Sequence, residues 1–452
     1  MYHTTVKIIS AIILITISSC KNKEITFYHE VEDIVHQKCA ICHNANGAGP
    51  FDLITFQDVS KRTDMISEVI QSNYMPPWPA DPSYNNFVGE KYLSQSEKAT
   101  LLTWIEQGAR KGKNIKKHKY VFNKEQKQKP DLQVSMKSAY TTNGKNTDEF
   151  LMIKFPFELK SDTFIKRIEF VPNNKQLVHH VNAHLITYKD QEKNNIFTGD
   201  QIVNTELFSD TEAFKKLDIL NDDGTYPLLT PSVSNYLPGS ESIEYPQGIG
   251  ELKATKKNII LVNDFHYAPS PYPEKDSSYF NIYFSPTPPK RIIQETQLGT
   301  FGISKINPPL FIPANEIKKF TTKAMITQDI SLLTINPHMH LLGKSFLAYA
   351  VTLKNDTIPL IKIDNWNFRW QYFYTFQKML KIPAGSEIIV EAIYDNTTNN
   401  PDNPFSPPQN VQERKDFNGR GSMKTSNEML QFIINYLPYQ NGDENIVLDT
   451  NN

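Results

Sequence analysis

The spacing of apolar residues changes character along this chain. A short apolar run occupies residues 8–17. Three stretches then carry helical spacing: residues 30–37, a segment around 66–70, and 94–108. Ser94 reads as an N-cap, Glu97 completes a capping box with it, and Gly108 lies near the C-terminal end. From Leu132 onward the apolar stretches are short or alternating, as at 150–155, 168–171, 259–262, 280–284 and 388–394. Asn143-Gly144, Asp222-Asp223-Gly224, Pro238-Gly239 and Pro383-Ala384-Gly385 are turn signals between such stretches. This pattern predicts β-sandwiches or jelly rolls, and its extent predicts two of them.

The expected fold class is therefore multidomain, a small all-α domain followed by two all-β sandwich (jelly-roll-like) domains. The divisions fall at 1–19 (a leader), 20–112 (the helical domain), 113–130 (a basic linker), 131–295 and 296–446 (the two sandwiches). Proline (29) outnumbers glycine (18), and tyrosine and phenylalanine are plentiful, which agrees with sheets joined by many turns. The net charge of −1 gives no reason to expect a nucleic-acid partner. Lys111, Lys113, Lys116, Lys117 and Lys119 form a basic run that reads as a solvated linker.

Lys7 followed by the apolar run is too short to span a bilayer and reads as the core of a signal peptide. The run ends in Ser18-Ser19-Cys20, which resembles the processing site of bacterial lipoproteins, with Cys20 as the lipidated first residue. Ile17 stands where leucine is usual, and a plain secretory leader is the alternative. Either reading exports the protein. The first also anchors it to the membrane by lipid, facing the periplasm or the cell surface. Only Cys39 and Cys42 then remain, so no pair is left for a structural disulfide if both hold a cofactor.

Residues 39–43 read Cys-Ala-Ile-Cys-His. Two cysteines three apart on a helical turn can form thioethers to a haem, with His43 as the proximal iron ligand. A thioredoxin-type redox pair lacks its βαβ context here, and a zinc site lacks a second cysteine pair. Tyr74-Met75-Pro76-Pro77-Trp78-Pro79 resembles the distal-ligand loop of small class I cytochromes c, which makes Met75 the expected sixth ligand. Met65 is the competing methionine, but it falls inside a predicted helix and reads as core. Imidazole plus thioether ligation raises a haem potential and suits electron transfer.

The second half carries clustered histidines among the eleven of the chain: His179-His180, His266 and His338-Met339-His340. Imidazole clusters in an exported protein suggest copper or zinc. Residues i and i+2 on a strand face the same way, so His338 and His340 can share a metal. Adjacent His179 and His180 can do so only where a strand bends or ends. Any one of these histidines alone could be an ordinary core or surface residue.

Together they carry a resemblance. Val178-His179-His180, Phe265-His266-Tyr267, His338-Met339-His340-Leu341-Leu342-Gly343-Lys344 and Thr425-Ser426-Asn427-Glu428-Met429 stand in the order seen in the copper type II, ascorbate-dependent monooxygenases. Peptidylglycine alpha-hydroxylating and dopamine beta-monooxygenase are familiar members. The resemblance covers roughly 130–446 and implies two copper ions on two β-sandwiches. His179, His180 and His266 correspond to the copper that stores an electron. His338, His340 and Met429 correspond to the copper that meets O2 and substrate, Met423 being a competing methionine. Animal members are rich in disulfides, which this chain cannot be. Asn336-Pro337 stand where peptide-amidating members carry an arginine, and Ile433 where they carry a tyrosine, so a peptide C-terminus is not the expected substrate.

The combination implies a small-molecule substrate and O2, with one covalent haem c beside the coppers. Electrons would pass from an external reductant (ascorbate or a redox protein) to haem, to the three-histidine copper, and on to the His338/His340/Met429 copper. The rival reading is a non-catalytic electron-transfer or copper-binding lipoprotein.

Overall fold

The computed structural model describes residues 24–114, 128–240, 242–250, 252–414 and 426–448. The leader, the expected lipid site Cys20, most of the basic linker and Met423 lie outside the described residues. Among those described, no helix is long and apolar enough to cross a membrane.

The first described element is a π-helical turn, Phe27–Val31, that runs straight into α1 (Glu32–Lys38). α2 (Phe56–Ser60), α3 (Thr63–Gln71) and α4 (Gln95–Glu106) complete a helical unit. Its core is Phe27, Val31, Val35, Leu53, Val59, Ile70, Leu101 and Trp104. The Trp104 indole donates to Arg110 O at 2.9 Å, so the largest buried ring also ties down the end of the unit. α4 starts as its sequence predicts: Ser94 accepts from the Glu97 N–H, and the Glu97 carboxylate accepts from the Ser94 N–H at 2.7 Å. α2 is too short to show a period, but Thr55 and Asp58 cap it in the same reciprocal way. Met65 differs from expectation: it is 48% exposed. On so short a helix only one narrow stripe can be buried, and Ile66 and Ile70, four apart, occupy it.

Each sandwich pairs a five-stranded with a four-stranded antiparallel sheet. The first has Ile202–Asn204, Glu149–Glu158, Lys257–Tyr267, Val178–Tyr188 and Ser234–Tyr236 in spatial order, facing Leu132–Ser135, Tyr279–Ser285, Thr163–Val171 and Leu252–Ala254. Alternating side chains of both sheets, such as Leu151, Phe155, Ile168, Val181, Val262 and Phe280, form its core. The second has Ile306–Asn307, Ile317–Met325, Glu387–Asp395, Gly343–Val351 and Thr357–Ile363 facing Gln294–Gly299, Gln431–Pro438, Ile330–His338 and Tyr374–Ile382. Gln294–Gly299 pairs with Gln431–Pro438, so the second sandwich takes its first strand from Gln294.

Residues 80–88, which follow α3 of the helical unit, clasp the second sandwich. Asp81 N donates to Lys362 O and Val88 N to Thr375 O, both at 2.8 Å. Ala80 and Phe87 enter the second sandwich's core. α5 (Asp210–Lys216), another element the apolar period does not announce, hangs off the first sandwich, capped by Ser209 and Glu212. It places Asp210 against Arg414 of the second, a buried ion pair across the two sandwiches.

At the far end of the second sandwich Arg291 grips Asp443 with two hydrogen bonds of 2.6 and 2.8 Å, and Ser331 donates a third at 2.6 Å. Burial alone would raise the Asp443 carboxyl; these donors outweigh it and hold it down at about 2. A carboxyl whose pKa is depressed in the folded state stabilises above its unfolded pKa, and loses that contribution as pH falls through the folded value. Asp443→Asn should therefore cost about 3 kcal/mol in urea unfolding at pH 7. The difference from wild type should shrink as pH falls from about 4 towards about 2. A constant difference across that range would show the ionised carboxylate to be irrelevant.

Candidate functional site

His179 and His180 sit at the start of the strand Val178–Tyr188, where a regular strand would aim adjacent rings at opposite faces. The pairing with Lys257–Tyr267 slips between Val178 and His180, a bulge that leaves His179 unpaired and turns its ring to the side of His180. His180 lies opposite His266 in the register. The result is a compact cluster. The Nδ1 atoms of His179 and His180 are 3.3 Å apart, as are those of His266 and His180. The three residues offer ligand nitrogens all within 4.8 Å of one another.

The opposite nitrogens are held. His180 Nε2 lies 3.0 Å from Asp264 Oδ2, and His266 Nε2 lies 2.6 Å from Asp148 Oδ1. An ionised carboxylate only accepts, so both rings must donate from Nε2 and present bare Nδ1 lone pairs to the centre. Burial works to raise the Asp264 carboxyl, yet the His180, His266 and His338 imidazoles around it keep it well below the usual range. Burial lowers His266 to about 4 against the pull of Asp148, and it lowers His179 strongly as well. These rings stay neutral at ordinary pH, the form that binds metal. Phe150 stacks on His266 with ring centroids 4.4 Å apart and fixes its plane.

The second group forms where the strand Ile330–His338 ends. The rings of His338 and His340 stand perpendicular with centroids 5.0 Å apart. Here the held nitrogen is the other one: His338 Nδ1 meets Gln371 Oε1 and His340 Nδ1 meets Asn427 O, both at 2.5 Å. Gln371 Nε2 donates to Phe368 O, which leaves its oxygen for His338. The Nε2 atoms are therefore the ones available as ligands. Burial lowers His338 to about 4 and His340 to about 3.

Met429 is brought to the same corner by the residue before it. The buried Glu428 carboxylate accepts from His340 N at 2.9 Å, Leu342 N at 2.7 Å and Met429 N at 3.3 Å. Burial raises Glu428 to about 8 even against those donors. Met429 is 4% exposed, and its sulfur lies 4.0 Å from Arg414 Nη1. Met339, between the two histidines, points into the core instead. Gly343 permits the turn behind them: a side-chain carbon there would lie 2.5 Å from the Trp366 ring.

In the helical unit, Cys39, Cys42 and His43 lie on one turn, with Cys42 N and His43 N both donating to Cys39 O at 3.1 and 3.0 Å. No disulfide joins Cys39 and Cys42, and burial pushes the Cys39 thiol up to about 12. His43 Nδ1 donates to Phe51 O at 3.1 Å, so Nε2 is its free nitrogen. Gly49 packs on that ring so closely that a side-chain carbon would lie 2.6 Å from His43 Nδ1. Met75 occupies the turn after α3, its N–H donating to Val69 O at 3.1 Å.

Residues 315–403 match the family model of the copper type II ascorbate-dependent monooxygenase, C-terminal domain. The match lies within the second sandwich and includes His338 and His340. The family is one of copper monooxygenases, so copper, O2 and a small-molecule substrate fit this domain. No curated protein matches the chain. Two solved structures align with 70% of it: the infectious bursal disease virus VP2 subviral particle, at 9% identity over 83% of that chain with a TM-score of 0.15, and the infectious bursal disease virus Gx strain, at 8% over 86% with a TM-score of 0.13. Likenesses of that size carry no argument.

Sequence reasoning did not single out the side chains that hold the imidazoles, Asp148, Asp264 and Gln371, which gave no signal because their partners are distant in sequence. Glu428, which stood inside a motif, holds backbone N–H groups. Arg369 and Arg414, which reach from the second sandwich to Asp148 and Asp210 of the first, were equally hidden.

The carboxylates behind the three-histidine cluster yield a prediction. Asp264→Asn or Asp148→Asn should weaken Cu(II) binding at that cluster about 10–100-fold while leaving the fold intact. Competitive chelator titration of the metal-free protein measures this, and undiminished affinity in both variants would remove their role in orienting the rings.

Proposed function

We propose that this chain is an exported copper-dependent monooxygenase that hydroxylates a C–H bond of a small molecule with O2, fed with electrons through its own c-type haem. The family match supports copper-dependent oxidation in the second sandwich. The observation that carries the reading further is the convergence of the His179, His180 and His266 Nδ1 atoms. A donor set of three imidazoles suits copper, and so does two imidazoles with a thioether at His338, His340 and Met429. Copper bound at these places supplies one-electron storage at the first and O2 chemistry at the second.

The chain's own residues do the rest. Asp264 and Asp148 hold the first set of rings, and Gln371 and the Asn427 carbonyl hold the second. Glu428 keeps Met429 beside His340. Arg369 on Asp148 and Arg414 on Asp210 keep the two sandwiches face to face. Asp264 faces His338 as well as His180, so the two groups share one electrostatic neighbourhood.

The helical unit fits a haem through the spacing of Cys39 and Cys42 and the free Nε2 of His43, with Met75 as the sixth ligand in this reading. An external reductant, ascorbate or a redox protein, would supply that haem. Cys20 would anchor the mature protein to the membrane by lipid.

Purified, copper-reconstituted protein should carry one covalent haem with a low-spin spectrum and about two coppers per chain. His338→Ala should lose about one copper, and Met429→Ala should lose O2-dependent product formation. Haem without tightly bound copper, or full copper in His338→Ala, would overturn the reading.

A further inference from the structure

We propose that Trp78, Tyr372 and Trp370 form the route by which an electron passes from the Cys39–Cys42–His43 centre to the His179/His180/His266 cluster. The proposal rests on the haem reading above and adds the path. The two groups belong to bodies separated by the whole intervening chain, so any efficient coupling must cross the contact between those bodies.

Residues 370–372 sit at that contact. Tyr372, only 4% exposed, donates its hydroxyl to Pro77 O at 2.7 Å, within the segment that follows Met75. The Trp78 ring lies against it, with centroids 5.1 Å apart. Trp370 is stacked on Tyr372 at 6.2 Å with an interplanar angle of 15°, and the Trp370 ring lies 5.8 Å from that of His179. From Trp78 to His179 each step passes from one ring to the next.

Cys42 reaches the same point. A side-chain carbon at Gly239 would lie 2.6 Å from Cys42 Sγ and 3.6 Å from Lys91 Nζ. Lys91 Nζ in turn lies 4.9 Å from the centre of the Tyr372 ring. The thioether side of the first centre, the ammonium and the tyrosine thus form one cluster. The three rings serve only as a conduit between the two centres. One electron leaves the reduced haem iron, one arrives at the oxidised copper, and no bond is made or broken.

The test uses the full chain loaded with haem and copper, without O2 or substrate. After flash reduction of the haem, its reoxidation is followed by absorption and the loss of Cu(II) by electron paramagnetic resonance. Trp370→Leu should lose the fast phase of both signals while retaining wild-type haem and copper content, and Tyr372→Leu should do the same. Trp370→Phe, which keeps a ring in place, should retain part of the phase. In a second measurement, adding Cu(II) to copper-free protein should quench tryptophan fluorescence, and Trp370→Phe should lose much of that quenching. An unchanged fast phase in fully loaded Trp370→Leu would overturn the route while leaving the haem and copper reading intact. Wild-type protein without covalent haem would instead overturn that reading, and the route with it.

Discussion

The candidate centres depend on one kind of interaction, a hydrogen bond to the ring nitrogen that does not face the centre. In the first cluster Asp264 and Asp148 take the Nε2 protons of His180 and His266, so the Nδ1 lone pairs converge. In the second, Gln371 and the Asn427 carbonyl take the Nδ1 protons of His338 and His340, so Nε2 is left. The acceptors decide the tautomer because carboxylate and carbonyl oxygens cannot donate. Burial then favours the neutral form of His266, His338 and His340, since a charged imidazolium in these surroundings would be poorly solvated.

Glu428 illustrates this at the level of backbone. Its carboxylate is buried and takes three N–H groups from the turn that follows His338 and from Met429. Those N–H groups have no strand partner at the end of Ile330–His338, and a buried unpaired N–H is costly. One side chain thereby ties the backbone of Met429 to the turn that carries His340 and Leu342. The same logic governs the contact between bodies. Loop residues 366–372 meet the first sandwich through Arg369 and Trp370 and the helical unit through Tyr372. A single short loop of the second sandwich is where all three bodies come together.

The sequence by itself determined a good deal. The short apolar or alternating stretches from Leu132 onward mark strands buried on one or both faces, and those at 150–155, 168–171, 259–262, 280–284 and 388–394 all form. The α4 capping box was legible because its partners are three residues apart. The cysteine pair and the histidine clusters were legible because residue type and spacing carry ligand chemistry within a few residues. Helices α2 and α5 were not, since elements so short are set by capping and tertiary contact rather than by a period.

What only the tertiary structure decided is which distant residues meet. The sequence alone could not tell whether His179 and His180 face the same way; a bulge against the strand of His266 turned them together. Nor could it name Asp148, Asp264 or Gln371 as the partners that choose each ring's free nitrogen, because nothing local pairs them. Nor could chain order tell that Ala80 and Phe87 bury themselves in the core of the second sandwich. Local spacing is written in covalent geometry and survives in the sequence. Contacts between remote segments follow from the packing of whole sheets, and no short stretch of residues contains them.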